Sequence, residues 1–140
     1  MTGVSGMYAE ANTMLKGIHK SSYAANMERF RKVYAGQLRE LLTAAEQDGP
    51  QTAAEQLVES LKSSFSVRGR IPARVQVDLN AFTVYYVLPA LALTEDLPCF
   101  GLIDAICGLW PKAFRRSTIH FASYETILNS FQRSFLGIRF

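Results

Sequence analysis

At 140 residues, 49% hydrophobic and 19% charged, the chain falls in the range of ordered single-domain proteins and away from the weakly hydrophobic, highly charged composition of disorder. Its formal charge of +3, from 15 basic and 12 acidic side chains, is a mild excess without a basic tail or an acidic block, which argues against a dedicated nucleic-acid binder. The opening MTGVSGMYAE has neither the basic n-region nor the apolar h-region of a secretory signal, so a cytoplasmic protein with no membrane partner is expected.

Residues 1–6, with two glycines and small polar side chains, read as a frayed end, and residues 7–140 as one helical domain. Met7, Ala11, Met14 and Ile18 recur at spacings of four and three, which predicts a short amphipathic helix. Tyr23, Met27, Phe30, Tyr34, Leu38, Leu41 and Ala45 continue the same periodicity and predict one long helix, stopped by the Asp48-Gly49-Pro50 turn. Thr52-Ala53-Ala54-Glu55 fits a capping box, so the next helix is expected to start there, carry the stripe Leu57, Val58, Leu61 and Phe65, and pack antiparallel on its predecessor.

Ser66 to Arg74, SVRGRIPAR, breaks any periodicity and reads as the longest loop. Beyond it Val75, Val77 and Leu79 alternate with polar residues as in a strand, but Val75, Leu79, Phe82, Tyr86 and Leu93 also share a helical seam, and no second strand offers pairing. The helical reading is adopted. The run Ala81 to Leu93, AFTVYYVLPALAL, is too short for a bilayer, which needs about 20 apolar residues, and too apolar for a surface helix, so the rest of the chain must wrap it. Pro89 has no N–H for the Tyr85 carbonyl and predicts a kink. A fifth helix is expected from Asp96 and Pro98 to Trp110, ended or kinked by Pro111, and a last one over Tyr124, Leu128, Phe131, Phe135 and Ile138. The fold class is therefore all-α, a single-domain bundle of five or six helices around a kinked central apolar helix.

The stretches YYVLPAL at Tyr85 to Leu91, LIDAICGLWPKAF at Leu102 to Phe114 and YETILNSF at Tyr124 to Phe131, together with the preceding DGPQTAAEQLVESL, resemble a family of small bacterial helical proteins with no assigned activity. The resemblance covers residues 20–140. It implies a helical fold and a bacterial, cytoplasmic protein, and it transfers no site.

Chemistry-bearing residues are sparse. Cys99 and Cys107, if on one helix, stand about 12 Å apart at 1.5 Å per residue, beyond disulfide reach, and read as reduced thiols. With His19 and His120 they match no metal spacing, and Cys107, between Ile106 and Gly108, reads as a small buried hydrophobe. A Cys–His pair using His120 has no local signature, and GxSxG, P-loop, GxGxxG and HExxH are all missing, so no catalytic residue, metal or cofactor is expected. Asp78, Asn80 and Asp104 lie in or beside the two most apolar helices; paired structural groups are favoured there over a polar pocket.

Arg68, Arg70 and Arg74 in the loop, and Lys112, Arg115 and Arg116 after Trp110, would form one patch if both segments met at the same end of the bundle. A solvated surface with local carboxylate partners is the plainer alternative. The aromatic faces of the second and last helices serve mostly as core, and any part facing outward would be a partner or self-association surface. The functional expectation is a noncatalytic protein-interaction or adaptor module, possible as a homodimer. The alternative is a weak nucleic-acid or polyanion binder through the arginines, and an unrecognised enzyme stands third.

Overall fold

The computed structural model describes residues 3–16, 23–94 and 100–114, of which 86% are helical and none lies in an extended strand. The order is α1 (Gly3–Tyr8), α2 (Ala11–Lys16), α3 (Tyr23–Val33), α4 (Ala35–Asp48), α5 (Pro50–Phe65), α6 (Ala73–Phe82), a π-helical turn (Thr83–Val87), α7 (Leu88–Ala92) and α8 (Phe100–Ala113). The fold is all-α, as the periodicities imply. No described helix is long and apolar enough to cross a membrane. The terminal helix over Tyr124 to Ile138 and the connection holding Asp96 and Pro98 lie outside the described residues.

α6, the π-turn and α7 form one continuous central element. From Leu79 to Leu91 every side chain is buried except that of Tyr85, which is half-buried, so the apolar run is wrapped as its composition demands. The strand-like alternation at Val75 to Leu79 yields to the helix. The expected disturbance at Pro89 is resolved one turn earlier: the Leu88 N–H reaches the Thr83 carbonyl, an i→i+5 bond that widens the helix ahead of the proline. Tyr23 donates its hydroxyl hydrogen to the Tyr85 carbonyl, the group whose usual donor Pro89 lacks. Eight residues on, Arg31 donates from Nη2 to the Leu93 carbonyl at 3.3 Å, just past the end of α7. α3 thus supplies side-chain donors to two carbonyls of the central element, one of which has a proline in place of its usual donor.

An aromatic chain ties the layers together. Phe30 sits 5.4 Å from both Phe82 and Tyr86, Tyr8 packs 5.0 Å edge-on to Phe82 and 6.5 Å from Trp110, and Trp110 lies 4.5 Å from Phe114. These separations suit attractive ring pairing. The aromatic face of the second helix is therefore core, with Phe30 buried and Tyr34 half-buried.

Four boundaries differ from the sequence expectation. The first helix begins at Gly3, inside the stretch read as frayed, buries Ser5, Met7 and Tyr8, and breaks at Ala9–Glu10 before α2. The long second helix is interrupted at Tyr34, whose φ of −107° and ψ of 24° leave the helical region two residues before Gly36, a weak helix former. Helix α5 starts at Pro50 with Gly49 at its cap and no side-chain cap, so the Thr52–Glu55 box is not used. Gly49 at φ 94° reverses the chain in one residue, and Pro50 is preorganised for the first helical position. Finally, α8 runs through Pro111 to Ala113.

α5 packs against both α4 and α8. A Cβ placed on Gly101 would lie 3.2 Å from the Pro50 ring, while Lys62 Nζ stands 5.8 Å from the centroid of the Phe114 ring. The first pair joins the N-terminal ends of α5 and α8 and the second joins their C-terminal ends. The two helices run parallel.

Candidate anion-binding end of the bundle

Because α5 and α8 run parallel, the loop leaving α5 and the last turn of α8 meet at one end. Residues 60–77 contain Lys62, Arg68, Arg70 and Arg74 and no Asp or Glu, and residues 105–124 contain Lys112, Arg115 and Arg116 and again no Asp or Glu. The fold therefore brings the starts of two acid-free basic segments together. Arg68, Arg70, Arg74 and Lys112 are exposed, and none pairs with a described carboxylate. Arg115 and Arg116 lie outside the described residues.

The loop is more ordered than a Gly- and Pro-containing connection requires. Val67 and Arg70 exchange two backbone hydrogen bonds, of 2.6 Å and 3.2 Å, around Arg68 and Gly69. Both central residues have positive φ, 54° and 80°, the pattern of a type I′ turn. Glycine adopts this conformation freely and asparagine tolerates it, whereas a long side chain pays about 1 kcal/mol. Ser66 donates its hydroxyl hydrogen to the Lys62 carbonyl and fixes the exit from α5. Arg74 falls within α6, not in the loop, and sits at its second residue, where the positive end of the helix dipole disfavours a cation. Lys62 and Lys112 occupy the last turns of α5 and α8, where the dipole favours them, so they have a structural explanation. Arg68 and Arg74 have the opposite: each stands against its local preference.

Val67, between these charges, is 60% exposed. The described aromatics at this end are turned inward, with Trp110 and Phe114 buried and Phe65 half-buried.

The other residues singled out by sequence divide sharply. Asn80 is fully buried and its Oδ1 accepts from Trp110 Nε1 at 2.6 Å, while its Nδ2 has no partner among the described residues. Because the indole can only donate, the bond also fixes which way the amide faces. Thr83 donates to the Leu79 carbonyl at 2.9 Å, so the 2.5 Å contact with Tyr8 has the tyrosine as donor. This polar pair was not visible in the sequence, although a Thr inside an apolar run was the available signal. Asp78 is half-buried and accepts from Asn12 Nδ2 at 3.3 Å, and Asp104 is exposed, so neither is a buried carboxylate. Cys107 is half-buried, and burial, with Asp104 adding to it, pushes its thiol up to about 11, leaving it protonated at neutral pH. Cys99, His19 and His120 lie outside the described residues, and no group of three metal-ligating side chains occurs among the described ones.

Comparison of the chain with protein-family models, with curated proteins and with solved structures finds no match.

Proposed function

We propose that this chain is a noncatalytic protein-interaction module that receives an acidic surface of its partner on the arginine-bearing end. The observation that carries the reading is that Arg68 and Arg74 stand against their local backbone and dipole preferences within an acid-free segment that leaves α5 at the end where α8 also finishes. Violations of local preference concentrate where function requires a particular side chain. A protein partner fits better than a nucleic acid, because exposed Val67 offers an apolar contact amid the charges while no described aromatic at this end offers a stacking surface for bases. A heterologous partner fits better than self-association, since Phe30 and Tyr34 are turned into the core.

The test is titration with a fluorescent acidic peptide containing Leu and, separately, a single-stranded oligonucleotide, each across a salt series. The peptide should bind more tightly than the oligonucleotide, and Arg68→Ala/Arg70→Ala/Arg74→Ala should abolish it. Unchanged binding in that variant would dismiss the patch. Tighter binding of the oligonucleotide, with log affinity falling linearly in log salt, would favour the nucleic-acid alternative.

One substitution separates stability from binding. Arg68→Asn creates the Asn-Gly pair preferred in a type I′ turn, so it should stabilise the protein by roughly 0.5–1 kcal/mol while weakening peptide binding. Thermal melts and the same titration measure both, and a variant that is less stable than wild type would contradict the strain at Arg68.

A further inference from the structure

We propose that the cleft where α1 crosses the α4–α5 hairpin binds a small primary alkylamine. This site uses different residues from the arginine-bearing end and does not depend on that reading. The cleft has a volume of 110 Å³. Its floor is apolar, formed by buried Leu41 and Leu57 with half-buried Ala44 beside them, and its rim carries Glu40 from α4 and Gln56 and Ser60 from α5. Gln56 and Ser60 are one turn apart and so share a helix face. No described Lys, Arg or His lines the cleft.

The lining therefore offers acceptors above and hydrocarbon below. Glu40, with no described ion-pair partner, contributes to the lining, and its two carboxylate oxygens lie 3.7 Å from the position a Cβ would take on Gly3 at the start of α1. A bare metal ion would find one carboxylate and no use for the apolar floor. An anion would meet Glu40 directly. A neutral apolar molecule would leave the rim unused. An alkylammonium satisfies both parts, with its N–H groups donating to Glu40 and its chain lying on Leu41 and Leu57. The size follows from the volume: an apolar cavity of about 150 Å³ holds benzene, so this one suits a chain of about four to six heavy atoms.

The experiment is a two-dimensional amide NMR titration of the full chain with n-butylammonium chloride and, in parallel, with 1-butanol, repeated on Glu40→Gln. In wild type, saturable shifts at Leu41, Ala44 and Leu57 are expected in the millimolar range, with the amine binding about fivefold more tightly than the alcohol. In Glu40→Gln, an exposed change that should leave the fold intact, the two ligands should bind equally. Absence of saturable shifts at these residues, equal binding of alcohol and amine to wild type, or an unchanged preference in Glu40→Gln would each overturn the proposal.

Discussion

Leu88→Asp should unfold the protein or lower its thermal midpoint by roughly 10–20 °C, the largest effect expected of any single change in the central helix. Leu88 has no solvent exposure, it begins α7, and its N–H closes the π-turn, so an aspartate there sits in an apolar interior without a cation. Burying an unpaired carboxylate costs several kcal/mol, or forces the group to take up a proton, against a total stability of about 5–15 kcal/mol for a domain. Far-UV circular dichroism followed through a thermal melt measures the outcome. A midpoint within a few degrees of wild type would refute the wrapped central helix.

Tyr23→Phe should cost about 1.5 kcal/mol, the upper end of the net worth of a typical intramolecular hydrogen bond. Its hydroxyl donates to the Tyr85 carbonyl, which has no donor four residues on because that position is Pro89. Burial first, and then the neighbouring Tyr86 and Tyr85, push the Tyr23 hydroxyl above its ordinary range, so it remains a donor at every physiological pH. A double-mutant cycle with Pro89→Ala isolates the term. Alanine restores an N–H near that carbonyl, and Tyr23→Phe should then cost about 1 kcal/mol less than it does beside the proline. Chemical denaturation of the four proteins decides the matter, and equal costs in both backgrounds would show that the tyrosine acts by ring packing alone.

The same pair of residues shows where sequence reasoning stops. Pro89 announces a defect in an apolar helix, and its position is plain from the chain. How the defect is accommodated depends on Tyr23, 62 residues before the Tyr85 carbonyl it reaches, and on a π-turn that no local pattern encodes. The buried stripe Leu57, Val58 and Leu61 and the wrapping of Ala81 to Leu93 were legible because burial imposes a period on the side chains. The start of α5 was not, because the capping box at Thr52 to Glu55 competes with Pro50 at the first helical position, and the Gly49 reversal lets the proline win. At the candidate site, both arginine groups could be listed from the sequence. That the exit from α5 lies at the same end as the last turn of α8 could not, since the parallel course of the two helices rests on contacts such as Lys62 with Phe114 that periodicity does not specify. The positive φ of Arg68 was hidden for a related reason: Arg-Gly is a less common turn pair than Asn-Gly, and here the tertiary placement overrides the local preference.

Gly49 has a kinetic consequence. Joining α4 to α5 through a single residue makes their pairing a contact of low sequence separation, whereas α5 meets α8 only after the intervening chain has been closed into a large loop. The hairpin should therefore be the first tertiary unit to form, with docking of α8 coming later on the pathway. Conservative truncations such as Leu42→Ala and Leu57→Ala should then slow folding, while Ile106→Val should mainly accelerate unfolding. Stopped-flow chevrons read the two limbs separately, and an Ile106 effect confined to the folding limb would place α8 in the nucleus instead.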